Sequence, residues 1–344
     1  MSELKELFDM VTNKTEPESS AWQEQERRQR KRTGRRRAAA FTAAAAIVVG
    51  AVVAALLAHA RGEGQPMQSS PPPAVFSASA SLVAVDVATG AQAQVLSDIA
   101  SFRPAVSPDG MQIAFVRTVE GKEQLFVANI DGTDPQQLTG LKGQPGCGCG
   151  AFDPTWSPDG EQLAYSGTNV FGNQGIYVMT IATGEVDLLT HEIGDAFEVT
   201  PDWAPGGRQI AYAGGSWQEE PPGSGQIYAI PVKGSRSASL LADQAGAVDP
   251  SWDPTGSSIV YTANVKGGTA LFTTSINNTQ PPRRLTDGAD DGSPTWSPDG
   301  TRIAFVRGTD IAILTVATGA VQTFGTGGDP EWSADGTALY VWQS

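Results

Sequence analysis

The sequence predicts an all-β fold: a six-bladed β-propeller whose N- and C-terminal segments close one blade, preceded by a single transmembrane α-helix. Three observations carry this reading. A motif close to Pro-x-Trp-Ser-Pro-Asp-Gly recurs six times, its first prolines at 104, 154, 201, 250, 294 and 330. The last copy stops after half a unit, and residues 80–97 look like the missing half. Upstream, residues 38–58 carry no charged side chain.

The repeats are Pro104–Gly110, Pro154–Gly160, Pro201–Gly207, Pro250–Gly256, Pro294–Gly300 and Pro330–Gly336. Their first prolines step by 50, 47, 49, 44 and 36 residues. Such a period signals a repeat architecture of supersecondary units that cannot bury their apolar faces alone. Each motif runs into a short apolar alternation, such as Ile113-Ala-Phe115, Leu163-Ala-Tyr165 or Ile303-Ala-Phe305. Period-two patterning beside a Pro-Asp-Gly turn reads as a β-hairpin. A second hairpin follows in most repeats. Its first strand is Gln124–Ala128, Gly175–Met179, Gln226–Ile230 or Ala270–Thr274, with turns at Asp131-Gly132, Thr183-Gly184 and Thr318-Gly319. Short segments ending in Leu-Thr139, Leu-Thr190 and Leu-Thr286 complete four strands per unit, the content of one propeller blade.

Trp156, Trp203, Trp252, Trp296 and Trp332 stand at one register of five repeats, with Val106 in the first. A large ring at that register fills the wedge between neighbouring sheets; sugar stacking is the functional alternative. The sixth repeat ends at Ser344 after one hairpin, whereas Ser81–Val87, the turn Thr89-Gly90 and Ala93–Leu96 match a second hairpin. Residues 80–97 are therefore expected to complete the blade begun by 328–344, which removes the open edges of a linear array.

These residues resemble the TolB-like, WD40-like (PD40) β-propeller repeat family, whose repeat carries a Trp-Ser-Pro-Asp-Gly core. The resemblance spans residues 80–344. The departures are Pro205-Gly206-Gly207, Pro254-Thr255-Gly256 and Ala334, all turn details. The resemblance implies protein-binding or scaffold roles, or a non-catalytic propeller attached to a hydrolase, and supplies no catalytic residue.

Four segments follow: a cytoplasmic head with a basic run (1–37), a transmembrane helix (38–60), a flexible linker (61–79) and the propeller (80–344). Twenty-one uncharged residues rise roughly 30 Å as a helix, the depth of a bilayer's hydrocarbon core. The basic run Arg27–Arg37 holds the N-terminus in the cytoplasm and places the propeller outside. Cleavage of an export signal after Ala60 is the alternative, since Ala58-His59-Ala60 fits a small-x-small site. Residues 1–61 carry 11 Lys/Arg and 7 Asp/Glu, leaving 12 and 30 for the remainder, so +4 and −18 sum to the net −14. An acidic exported domain excludes nucleic acid as its partner. Leu4, Leu7, Phe8 and Val11 share one helical face, and residues 1–26 are a candidate contact for a cytoplasmic regulator. The layout is similar to bacterial transmembrane regulators, including anti-sigma-factor-like proteins.

The chemistry-bearing residues are few. With only two histidines a His-rich metal centre is excluded. No nucleophile elbow, phosphate loop or dinucleotide fingerprint appears, so no enzyme activity, cofactor or metal is expected. Most acidic residues are read as turn residues. Cys147-Gly-Cys149, the only cysteine pair, is a candidate disulfide, with metal binding and free thiols as alternatives. Loops between blades and between the two hairpins of a blade leave on one face. That face gathers a candidate binding rim: Phe171, His191, Asp195, Phe197, Glu198, Trp217, Asp290 and Asp291. The partner expected there is a protein or ligand. Extracellular propeller enzymes (lyase or hydrolase) and a passive cell-envelope scaffold are the rival functions.

Overall fold

In the second to sixth repeats the motif proline follows a residue whose positive φ bends the first strand of the unit. The computed structural model describes residues 80–100, 102–140, 150–168, 174–190, 196–216, 225–234, 236–277, 280–288 and 290–343. The chain divides into two units, Met1–Val75 and Phe76–Ser344. The expected head, membrane helix and linker lie outside the described residues. Among the described residues no helix is long and apolar enough to cross a membrane.

The described strands form six four-stranded antiparallel sheets, each built as an inner strand, two middle strands and an outer strand. The six inner strands are Ala105–Val106, Gly150–Trp156, Ala196–Trp203, Val248–Trp252, Asp291–Trp296 and Gly328–Trp332. Each touches the next and the last touches the first, closing the ring. Blades 1 to 5 are contiguous in sequence. The sixth is composite: Gly328–Trp332 and Ala338–Gln343 supply its inner half, Ala80–Asp86 and Gln92–Ile99 its outer half. The joint is a six-pair ladder running from Ser81 opposite Gln343 to Asp86 opposite Ala338. The expected closure by residues 80–97 is thus observed, with its outer strand reaching Ile99.

The tryptophans fill the wedges, as their register implies. Trp156 packs on Ala114 and Val127 of the preceding blade, Trp203 on Ile176 and Val178, and Trp332 on Ile311 and Ile313. They also fasten the blades, because the indole N–H of Trp156 donates to the Ala105 carbonyl at 3.0 Å. Trp252 does the same to Asp202 O and Trp332 to Thr295 O, both at 3.2 Å. Within blades 1 to 4, cross-strand rings stack at 5.6–6.1 Å: Phe115 on Phe126, Tyr165 on Tyr177, Tyr212 on Tyr228 and Tyr261 on Phe272. The threonines that end the fourth-strand segments have a function that the pattern alone did not reveal. The hydroxyls of Thr139, Thr190 and Thr286 accept the amides of Leu125, Ile176 and Leu271, taking over where the ladder stops.

The Ser-Pro-Asp-Gly turns are self-capped. Ser107 Oγ donates to Asp109 Oδ1 at 2.6 Å, and the same Asp oxygen accepts the Met111 amide. Blades 2, 5 and 6 repeat this through Asp159, Asp299 and Asp335. Blade 4 substitutes Asp253, which accepts from Ser257 and Ser258. The turn glycines sit at φ of 69–72°, and a Cβ built on each faces the turn proline of the preceding blade at 3.6–3.9 Å. The exception is Gly110, which faces Ala334. Ala334→Pro should therefore restore the contact and remove unfolded-state entropy. A gain of about 0.4–1 kcal/mol is expected, read from urea unfolding.

Candidate functional site on the propeller axis

The residue before each motif proline is Arg103, Asp153, Thr200, Asp249, Ser293 or Asp329, and the residue after it is Ala105, Thr155, Asp202, Ser251, Thr295 or Glu331. In blades 2 to 6 the pairing of inner strand with its neighbour skips the x-Pro pair in a bulge. Proline lacks an N–H for the ladder, so a bulge is where a strand tolerates it. The preceding residue takes φ of 42–53° in all five. Short Asp, Ser and Thr side chains at these positions hydrogen-bond the next blade, which helps to hold the left-handed backbone. The bend brings the residues on either side of the proline to the axis.

Two stacked rings of side-chain latches result. In the first, each x residue serves the next blade. Asp153 accepts the Thr200 amide, Thr200 Oγ1 accepts the Asp249 amide at 3.3 Å, and Asp249 accepts the Ser293 amide. Ser293 Oγ then donates to Asp329 Oδ1 at 2.6 Å, and the Trp342 indole holds the other Asp329 oxygen at 3.0 Å. In the second ring, Thr155 Oγ1 accepts the Trp203 amide, Asp202 Oδ2 the Trp252 amide and Ser251 Oγ the Trp296 amide. Thr295 Oγ1 donates to Glu331 Oε2 at 3.4 Å, and Glu331 accepts the Val106 amide, which carries the latches round from blade 2 to blade 1, where Ala105 has no polar side chain to extend them.

Among the described residues Arg103 is the single cation on the axis, 9% exposed, and its Nη2 donates to the Pro294 carbonyl at 3.0 Å. Burial works against its charge, but Asp249, Asp329, Asp202 and Glu331 outweigh that effect and raise its pKa. The carboxyls of Glu331, Asp153, Asp202 and Asp249 move up as well, burial being the first cause in each case. Glu331 is pushed up to about 8, with Arg103 opposing and Asp202 adding to the rise. Asp153 reaches about 7, helped by Asp329. Asp202 reaches about 6, restrained by the Trp252 amide and Arg103. Asp249 is raised too.

The sign of the linked stability follows. A carboxyl with a raised folded pKa binds its proton more tightly in the native state, so stability falls as pH climbs from the unfolded value of about 4 to the folded one. The turn carboxyls of Asp299 and Asp335, lowered to about 2 by hydrogen bonds from Ser297 and Ser333 and their neighbouring amides, act oppositely. Their contribution is lost as pH falls from about 4 to about 2. The urea midpoint should therefore peak at about pH 4 and decline on both sides, and Glu331→Gln should flatten the alkaline arm alone.

The expected rim is placed only in part. Phe171, His191, Asp195, Trp217, Cys147 and Cys149 lie outside the described residues. Phe197 and Glu198 fall in the inner strand Ala196–Trp203. Asp290 is exposed, at φ 64°. Asp291 is not on an exposed rim. Its carboxylate is fully buried and gripped by Arg307 Nε at 2.7 Å and Nη2 at 2.9 Å, because Gly288 leaves room for the pair. Asp86, Asp109, Asp131, Asp159, Asp253, Asp299 and Asp335 cap turns, as expected of most acids, whereas Asp153, Asp202, Asp249, Asp329 and Glu331 line the axis. Among the described residues no group of three His, Cys, Asp or Glu is arranged to hold a metal ion.

The two faces differ in loop length. Each turn from inner to second strand spans five residues: 107–111, 157–161, 204–208, 253–257, 297–301 and 333–337. On the opposite face the second-to-third-strand loops run from two residues (120–121, 266–267, 308–309) to five (169–173) and nine (217–225).

The family model of the TolB beta propeller domain (PD40) matches residues 75–220 and 152–342. The chain belongs to that family. A putative TolB from Agrobacterium tumefaciens is 21% identical and has a TM-score of 0.63, covering 77% of this chain and 98% of its own. TolB from Acinetobacter baumannii is 21% identical at a TM-score of 0.54, over 79% of this chain and 65% of that one. A gluconolactonase from Xanthomonas campestris, XC5397, is 14% identical at 0.55, over 80% and 98%. At these identities the likeness is one of fold. No curated protein matches the chain by sequence.

Proposed function

We propose that this chain is a single-pass membrane protein of the cell envelope that displays a PD40 propeller outside the cytoplasm and binds a protein partner there, without catalysis. The observation that supports the reading is the division of labour between the two faces. One face spends every repeat on an identical five-residue turn that packs on its neighbour. On the other, the three longest connections, 138–149, 189–195 and 217–225, flank or belong to blades 2 and 3, and 169–173 lies within blade 2. Those connections contain Phe171, His191, Asp195 and Trp217, aromatic and charged side chains of the kind that anchor protein interfaces. The uncharged segment 38–58 is the anchor, Arg27–Arg37 its cytoplasmic flank, and residues 1–26 the contact through which binding outside is relayed to a regulator inside.

A photo-crosslinking side chain in place of Trp217, in the full-length chain in its native membrane, should yield a discrete adduct. The same side chain in place of Met111, on the constant face and 66% exposed, should not. Equal adducts from both positions, or none from either, would sink the reading.

A further inference from the structure

The outer strand of every blade is a sheet edge, and five of the six edges are blunted. Blades 1 and 4 keep theirs to two residues, Gln136–Gln137 and Arg283–Arg284, each just after a proline, Pro135 or Pro282. Blade 2 has three, Val186–Leu188, and Arg236 of blade 3 binds both the Leu188 carbonyl and the Asp187 carboxylate. Blade 3 has four, Ser239–Ala242, buried from Leu241 onward. Blade 6 has eight, Gln92–Ile99, but Arg117 of blade 1 donates to the Ser97 and Asp98 carbonyls, both at 3.1 Å. Short length, charge, proline and capping all keep an edge from recruiting another strand. Blade 5 uses none of them. Its outer strand Ala320–Thr326 is seven residues long, without a charge or a proline, and only Val321 and Phe324 are half-buried. Among the described residues, the one side-chain hydrogen bond it receives from the next blade is Gln343 Nε2 on the Thr326 carbonyl, at 2.9 Å. A register shift opposite Ile311 and Ala312 interrupts its ladder, so Ala320–Thr323 is the regular run. The outward amides and carbonyls of that run have no strand to pair with.

We propose that the outer edge of blade 5 pairs antiparallel with the same edge of a second copy of this chain, joining the two blades into one sheet across a two-fold axis. Charge decides which edges can do this, because like charges placed opposite one another destabilise a strand pair. Self-pairing of blade 2 would set Asp187 against Asp187, and self-pairing of blade 4 would set arginine against arginine. The run Ala320–Thr323 reads Ala-Val-Gln-Thr, so it meets its own copy with no charge at all. Val and Thr also suit a pleated, half-buried surface. A strand from an unlike partner draws its specificity from side-chain pockets beside the edge. The two described cavities lie elsewhere, one lined by Leu240 and Pro282, the other by Arg283 and Trp296, and neither is lined by any of residues 320–326. An identical strand needs no such pocket, since a two-fold contact makes every pair of groups twice. Blade 5 stands across the ring from blade 2. The dimer therefore leaves the long connections of blades 2 and 3 open and presents two copies of that face.

Light scattering on the full-length chain in detergent micelles, with the protein mass separated from that of the detergent, counts the copies per particle. The count should rise from one chain to two across a concentration series. Gln322→Lys together with Thr323→Lys puts charge on both faces of the run and should hold the particle at one chain, with the urea midpoint unchanged. Ala93→Lys together with Gln94→Lys, both on the exposed part of the blade 6 edge, should leave the dimer intact. A wild-type chain that stays single at every concentration would overturn the proposal. So would a dimer that survives both blade 5 lysines, or one that the blade 6 lysines split equally well.

Discussion

A chain that begins at residue 100 will not form a cooperative propeller. Removing 80–99 strips both outer strands from blade 6, leaves Ala338–Gln343 as a bare edge, and exposes Val341, Tyr340 and Leu339. Leu82 and Ala80, both fully buried, lose their sites in the cluster with Ile113 and Phe115 of blade 1. The same cluster joins blade 6 to blade 1, so the loss spreads across that junction. Apolar burial contributes about 25 cal/mol per Å², and several fully buried side chains represent more than the 5–15 kcal/mol by which a domain is stable. Urea unfolding followed by tryptophan fluorescence should give a single transition for residues 80–344 and none for 100–344. A cooperative transition in the shorter chain would mean that the ring does not depend on its composite blade.

Trp156→Ala should destabilise the propeller by about 3–5 kcal/mol, the range for large aromatic truncations in a packed core. The ring is 7% exposed and fills the wedge against Ala105, Ala114 and Val127. Trp156→Phe separates the two functions of the side chain. It keeps most of the wedge and deletes the indole bond to the Ala105 carbonyl, so a loss of about 1–2 kcal/mol is expected. Calorimetry on both variants measures the difference. Equal losses would mean that the hydrogen bond, and not the packing, carries the position.

The wedge and the closure were legible because each is written as repetition. Five tryptophans at one register leave packing as the simplest account, and a half-repeat at each end leaves one way to complete a blade. The axial latches were less visible, although their signal is present. Five of the six residues before the motif proline are Asp, Ser or Thr, short side chains able to hydrogen-bond a neighbouring backbone, and the sixth is Arg103. Read singly, Asp153 or Asp329 looks like another turn aspartate. Only the bulge reveals that the x-Pro pair leaves the ladder and faces the axis. Asp291 misled for a related reason. It belongs to an acidic run, Asp287-Gly-Ala-Asp-Asp291, whose exposed half includes Asp290, and nothing local announces that Arg307, sixteen residues on, turns the last carboxylate inward.

The sidedness of the propeller can be measured directly. Met111 is 66% exposed on the constant face, so Met111→Cys in a chain with Cys147 and Cys149 replaced by serine offers one accessible thiol. A membrane-impermeant maleimide applied to intact cells expressing the full-length chain should label it as fully as after lysis. A thiol introduced at Ser20, on the other side of the basic run, should label only after lysis. Labelling of Met111→Cys that requires lysis would place the propeller in the cytoplasm and contradict the account.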